Sequence, residues 1–223
     1  MRTLIRELPY ERPVAAGRYR YERDGEPTGA VESWRLTAAQ EGYRFLRVDL
    51  NAQAAPSGDS YLYHLTLDAA GRPNRLSFRF FGSAFRAGGN LLFSEDTVTL
   101  ARTVDGRRLE EERELTSEFA FWFPATAGLA LLAEKADDGE IVPAVTLDKD
   151  EQFALRLVDL HIRPGSSQPH VIMGKAIDLR PLTLSWADQQ RTIWVDQHNW
   201  PLKMERERLT AVETRYIRYR QQE

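Results

Sequence analysis

Apolar and polar residues alternate with a period of two along most of this chain, and tight-turn dipeptides punctuate the alternation, as expected of antiparallel strands joined by short hairpins. Tyr19 and Tyr21 alternate with Arg18, Arg20 and Glu22, Asp24-Gly25 supplies a turn, and 30–36 resumes with Trp34 and Leu36 on one face. Glu41-Gly42 precedes a strand over 43–50, Ala70-Gly71 separates 61–67 from 76–81, and Asp105-Gly106 separates 97–101 from 107–115. Glycine supplies the positive φ that such turns require. Gly88-Gly89-Asn90 reads as one more turn, since neither a lysine nor a helix start follows it to make a phosphate loop.

The second half opens differently. Phe119-Ala120-Phe121-Trp122-Phe123 predicts an aromatic strand halted by Pro124, with Phe119, Phe121 and Phe123 on one face and Trp122 on the other. Residues 125–136 are rich in Ala and Leu, with Leu129 and Leu132/Ala133 at helical spacing, and Asp137-Asp138-Gly139 closes the segment, which predicts one short helix. Strands resume over 141–147, 152–162, 171–179, 182–186, 191–196, 202–209 and 212–219, with a loop over 163–169 and a break at Arg180-Pro181.

About fourteen strands follow, and an antiparallel sheet of that size curls, closes or splits rather than lying flat. Leu76, Phe78 and Phe80 share one face, as do Leu182, Leu184 and Trp186, and such faces need a cover. The predicted fold is therefore all-β: one domain over 1–223 built on a strongly curved antiparallel sheet, a half-barrel or β-roll. One or two short helices lie inside or across its mouth.

Composition narrows the classes. A chain of 223 residues buries roughly 70% of its unfolded surface, enough for a substantial core. Hydrophobic content of 42% and charged content of 28% suit a globular protein, and the apolar run over 119–133 is too short to span a bilayer. Lys and Arg number 30 against 33 Asp and Glu, interleaved with them, which argues against a nucleic-acid partner. Met1 to Pro9 contains Arg6, Glu7 and Pro9 where a secretory signal needs an apolar run, so a cytoplasmic location is expected, though an exported protein read without its leader would look the same. With no cysteine, disulfides, thiolate metal sites and a cysteine nucleophile are excluded.

Trp194-Val195-Asp196 followed by Trp200-Pro201-Leu202-Lys203-Met204-Glu205 resembles the recurrent closing hairpin of LolA/LolB-like carriers and related uncharacterised β-domain families. Residues 19–29 are similar to the opening hairpin of some of those relatives, and the putative glycolipid-binding β-roll family is a neighbouring resemblance. The resemblance implies a curved sheet with short helices in its concavity and, in characterised members, a lipid or acyl chain in the apolar hollow.

Catalytic constellations are sparse. His64, His161, His170 and His198 show no metal-ligand spacing, and His64 falls opposite the Tyr63/Leu65 face, toward solvent. Asp159 and His161 share a strand face and could form a base, or could simply be where a core strand turns polar. Glu110-Glu111-Glu112 and Asp148-Lys149-Asp150-Glu151 lack calcium-loop spacing and read as solvated strand edges. The expectation is no catalytic residue, no metal and no cofactor. What remains is an apolar set, Phe119, Phe121, Phe123, Leu129, Leu132, Trp186, Trp194 and Trp200, which either lines a cavity for a lipid or acyl chain or fills a core. The expected function is non-enzymatic binding of an apolar ligand. A protein-interaction scaffold is the alternative, and a hydrolase or isomerase using Asp159 and His161 is a third reading.

Overall fold

The computed structural model describes residues 7–55, 58–116, 118–135 and 141–219. Its first half is a meander of eight strands, β1 (Arg12–Arg23), β2 (Glu26–Ala38), β3 (Arg44–Asn51), β4 (Ser60–Leu67), β5 (Pro73–Phe81), β6 (Arg86–Phe93), β7 (Thr97–Val104) and β8 (Arg107–Glu114). A short connecting segment follows, with β9 (Ala120–Phe121), a 3-10 turn (Ala127–Leu129) and α1 (Ala130–Ala133). The second half comprises β10 (Ile141–Asp148), β11 (Ala154–Pro164), β12 (Gln168–Ile172), β13 (Lys175–Trp186), β14 (Gln189–Val195), β15 (Pro201–Arg206) and β16 (Leu209–Arg218).

All sixteen strands belong to one sheet, in the order β8-β7-β6-β5-β4-β3-β2-β1-β16-β15-β14-β13-β11-β10-β9, with β12 added beside β13. The first and last strands pair, so two meanders fuse into one sheet that curves but does not close. Apart from β9, which runs parallel to β10, the pairings are antiparallel. The predicted all-β curved sheet is therefore what the chain forms.

The period-two pattern shows how the inner face is built. Leu36, Leu46, Leu65, Leu76, Leu91 and Leu100 stand side by side across six strands, and beside that row run Trp34, Val48, Tyr63 and Phe78. Five of those six leucines are buried, with Leu36 packed against them, so a single row seals one end of the core. The hairpin turns follow the sequence closely: Asp24 and Gly25 have φ of 52° and 84°, and Asp105 and Gly106 have 46° and 87°, the paired left-handed geometry of a type I′ turn. At the far edge β8 carries Arg107-Arg108 and Glu110-Glu111-Glu112, so the acidic triplet does lie on a charged edge strand that discourages pairing with another sheet.

Several expectations are corrected. Gly88-Gly89-Asn90 is not a turn but the middle of β6. A Cβ at Gly89 would meet the Ala101 carbonyl oxygen at 2.6 Å, so glycine there permits β6 and β7 to approach closely. Arg180-Pro181 does not break the strand, because β13 changes partner at that point, pairing with β12 before it and β11 after it. The Pro181 carbonyl accepts the Gly165 N–H at 2.8 Å across this junction, and its missing N–H costs no ladder bond. The expected loop over 163–169 shrinks to 165–167, and the Met173-Gly174 turn between β12 and β13 lies inside what read as one strand. Of the aromatic run, just Ala120–Phe121 is strand. The Ala/Leu helix is a single α-turn preceded by the 3-10 turn, and the proposed stop at Asp137-Asp138-Gly139 lies outside the described residues. Asp148 ends β10 and Lys149 to Glu151 lie in the connection to β11, with the Asp148 carboxylate accepting the Asp150 N–H at 2.9 Å and Lys149 paired to Asp59 at 2.5 Å.

Candidate functional site

The 119–133 segment crosses the inner face of the sheet. Phe121 meets Phe93 of β6 at 4.8 Å between ring centroids, Phe123 meets Tyr63 of β4 at 4.6 Å, and Trp122 meets Trp186 of β13 at 4.9 Å. Leu129, Leu132 and Ala133 are buried in the same cluster. Phe153, at the turn before β11, fills the neighbouring space against Phe78 and Phe80, at 5.0 and 5.2 Å. Its φ of 63° is a backbone state that a bulky side chain rarely adopts, and the surrounding rings hold it there. The concavity is thus occupied by a segment of the chain itself, and beyond the short β9 pairing with β10 that segment is tied down by polar contacts.

Those contacts centre on Glu32. Its carboxylate accepts the Thr126 N–H at 3.0 Å and the Ala127 N–H at 2.7 Å, and it also receives the Tyr21 hydroxyl. Tyr21 Oη lies 2.8 Å from Thr126 Oγ1, which ties the same two elements a second time. Register explains the convergence: Tyr19 of β1 pairs with Glu32 of β2 on one side and Glu213 of β16 on the other, so one row of the inner face holds two carboxylates flanking a phenol. Glu213 accepts the Trp34 Nε1–H at 3.0 Å and the Arg18 N–H, while Tyr19 donates to the Pro201 carbonyl at 2.6 Å. Both glutamates and Tyr19 are essentially inaccessible to solvent.

Burial is the leading cause of every shift in this row. It raises the Glu32 carboxyl against the opposing hydrogen bonds from Tyr21, Ala127 and Thr126. Burial likewise pushes Glu213 up to about 7, with the Trp34 and Arg18 donors working against it and the neighbouring Glu32 charge adding to it. Both phenols are held well above their ordinary range by burial and then by the adjacent carboxylates.

Arg191 of β14 is an inner-face cation; Arg102 of β7, also on the inner face, is paired to Glu111. Arg191 pairs in register with Leu184 and alternates with buried Ile193, so it points inward, and its guanidinium carbon lies 5.1 Å from the Trp186 ring centroid. Its Nε is enclosed without a hydrogen-bond partner, and no carboxylate pairs with it among the described residues. Burial, with Arg206 adding, lowers its pKa to about 10, which leaves it protonated at neutral pH.

The eight candidate residues divide. Phe121, Phe123, Leu129, Leu132 and Trp186 meet at the inner face, and Phe119 joins them through Phe93 at 5.9 Å. Trp200 packs against Trp34 at 4.0 Å between ring centroids with the rings tilted by 31°, at the Asp196-to-Trp200 corner. Trp194 is separate: it shares its row with Lys203 and Val212 and lies between His170, 5.7 Å away, and the Lys203 ammonium, 4.6 Å away, on the outer face. The corner itself is held by the Asp196 carboxylate, which accepts the His198 and Trp200 N–H groups, both at 2.9 Å. Asp196→Ala is expected to lower stability by about 1 kcal/mol, measured by urea unfolding, through loss of both bonds at a part-exposed turn.

Asp159 is exposed and His161 half-buried, on a stretch where Leu157 is 48% exposed while Leu160 and Ile162 point into the core. They face outward and neither meets the inner polar row. His64 lies on the outer face as expected but is partly covered by Phe45, at 5.9 Å, and burial first, then Arg47, lowers it to about 4. Among the described residues no group of three or more His, Asp or Glu could hold a metal ion, and no helix is long and apolar enough to cross a membrane.

Glu32, Glu213, Tyr21 and Arg191 were not singled out in the sequence. Glu32 had a signal: it shares the parity of Ala30, Trp34 and Leu36, an acid on an otherwise apolar strand face. Glu213 had none, because a bulge opposite Arg18/Tyr19 shifts the register of β16.

Fold and site together define a class, an all-β protein on one large open curved sheet whose hollow is crossed by an internal segment. No family model matches the chain, and no curated protein matches it. Among solved structures, the chain is similar to a DUF1089 family protein from Pseudomonas aeruginosa, at 14% identity and a TM-score of 0.47 over 79% of this chain and 89% of that one. The LolA/LolB resemblance of the 194–205 hairpin finds no support in these comparisons.

Proposed function

We propose that this chain is a non-enzymatic binding protein for an acyl-chain ligand with an acidic head, held between the inner face of the sheet and the 119–133 segment. The observation that carries this reading is Arg191, an inward-facing cation with an enclosed, unpartnered Nε beside Trp186 and with no partner of opposite charge among the described residues. An unpaired, half-buried cation whose Nε is enclosed carries a desolvation cost, and a ligand carboxylate is the partner that would relieve it. The covering segment supports the reading, because it has little regular structure and its polar anchors are Glu32 and Tyr21, so displacing it unpairs only the two-residue β9 from β10. The buried acids support a binding role over catalysis: the oxygens of Glu32 and Glu213 are engaged by backbone and indole donors, with no solvent path to a substrate.

Titration with a fluorescent fatty acid and native mass spectrometry of the purified protein test this. Saturable one-to-one uptake is expected, with Arg191→Leu weakening the fatty acid at least about tenfold while leaving a long-chain alcohol of equal length unaffected. Absence of saturable uptake, or equal loss for acid and alcohol, contradicts it.

A further inference from the structure

The outer face of the β5–β8 quarter of the sheet carries a depression of about 630 Å³, on the opposite side of these strands from the hollow, and Phe78 and Gly89 also border it. Three arginines of the outer face line it, Arg75, Arg79 and Arg108, and no acidic residue does, in a chain whose formal charge is -3; Arg102, which also borders it, has the inward parity of Val98 and Leu100 and is paired to Glu111. We propose that this groove is an anion site that takes a phosphate-bearing ligand.

Register builds the groove. Leu62, Arg79, Gly88, Thr103 and Arg108 stand in one row across β4 to β8, so two arginines rise on either side of a glycine and a threonine. Adjacent strands are about 4.8 Å apart, which sets the two Cα atoms roughly 14 Å from each other, a span that two guanidinium side chains close onto one small ligand. In the next row Ser77, Asn90 and Ala101 continue the low floor. Ser77 Oγ and Arg75 Nη2 both donate to Asn90 Oδ1, at 2.7 and 2.8 Å, which orients the amide and leaves its Nδ2 hydrogens for a ligand.

Arg79 and Arg108 are available. Arg79 has no acidic partner among the described residues. Arg108 pairs with Glu110 at 2.5 Å, but the two side chains are 77% and 59% exposed, a surface pair that a ligand anion can replace at little cost. Guanidinium forks match the oxygens of a phosphate in paired hydrogen bonds, and the neutral donors of Asn90 and Thr103 suit its remaining oxygens. The depression lies within the roughly 300–1,000 Å³ range of small-molecule sites, so it has room for the group that carries the phosphate.

Gly88 separates this site from mere packing. Unlike Gly89, a Cβ at Gly88 would meet nothing closer than the Phe78 carbonyl oxygen at 3.4 Å, so the strand does not need glycine there, whereas an open groove does. Gly88→Val can therefore be built into β6 and fills the floor between Arg79 and Arg108.

The test uses the full chain in two arms. Calorimetric titration with inorganic pyrophosphate reports a soluble phosphate ligand, and co-sedimentation with phosphatidylcholine vesicles, with and without phosphatidic acid, reports a lipid headgroup. Saturable, salt-sensitive binding is expected in at least one arm, weakened at least about tenfold by both Arg79→Gln and Gly88→Val, with fatty-acid uptake and melting temperature retained. Binding in the first arm alone identifies a soluble phosphate compound, and binding in the second a membrane headgroup. No saturable binding in either arm, or binding that both variants leave intact, overturns the proposal.

Discussion

Glu32→Ala is expected to lower the free energy of unfolding by about 4 kcal/mol and to expose the 119–133 segment to protease, while the sheet remains folded. The substitution removes the acceptor for the Thr126 and Ala127 N–H groups, both buried with no other hydrogen-bond partner among the described residues, and each orphaned donor costs about 1–3 kcal/mol in an interior that water does not reach. Tyr21 loses the same acceptor but keeps Thr126 Oγ1 at 2.8 Å, so its share is smaller. Removing a carboxyl whose pKa burial has raised returns part of the cost, which is why the loss falls short of three full donors. Glu32→Gln retains the shape and one oxygen, and about half the loss is expected. Chymotrypsin, which cuts after the aromatic and leucine residues of this segment, should nick Glu32→Ala there and leave the parent protein intact. A Glu32→Ala protein within about 1 kcal/mol of the parent, and equally resistant, would show that the segment is held by apolar packing alone.

The second large effect is in pH dependence. Glu213 has an ordinary value of 4.5 and a folded value of about 7, raised chiefly by burial. A raised pKa means that the folded state keeps its proton where the unfolded state has released it. Its contribution is therefore complete below about 4.5, declines as pH rises toward 7, and is lost above that. The shift corresponds to about 3 kcal/mol across that window. Glu32, raised in the same direction, steepens the fall. Urea unfolding of the parent and of Glu213→Gln at pH 4.5, 6 and 8 isolates the effect, since other carboxyls are common to both proteins. The stability difference between them should shift by about 3 kcal/mol in favour of Glu213→Gln as pH rises; a pH-independent difference contradicts the assignment.

Much of the fold was legible because strand alternation and turn chemistry are local. Asp24-Gly25 and Asp105-Gly106 needed no knowledge of neighbours, and the 194–205 hairpin sits where its alternation placed it, with β14 buried on both faces. The misreadings all involve a partner strand. Gly88-Gly89 reads as a turn until the Ala101 backbone beside it is known, and Pro181 reads as a break until β13 is seen to exchange β12 for β11. Aromatic content made the 119–123 run look like a full strand, whereas its rings are spent on reaching β4, β6 and β13. For the site, the apolar wall was visible and its polar fastening was not. Glu32 could have been found by parity, but the row that joins it to Tyr19 and Glu213 exists because the first and last strands pair, across almost the whole length of the chain. Trp194, which opened as a wall candidate through its motif, belongs to the outer face, and Arg191, three residues before it, supplies the feature on which the binding proposal rests.

Amide hydrogen exchange at Thr126 and Ala127, followed by NMR with and without a saturating long-chain fatty acid, tests that proposal most directly. Both amides are predicted to lose protection when the ligand displaces the segment from Glu32, while the amides of the β3–β4 and β14–β15 ladders keep theirs. Unchanged protection at Thr126 and Ala127 in the presence of the fatty acid would show that the hollow belongs to the protein's own side chains and takes no ligand.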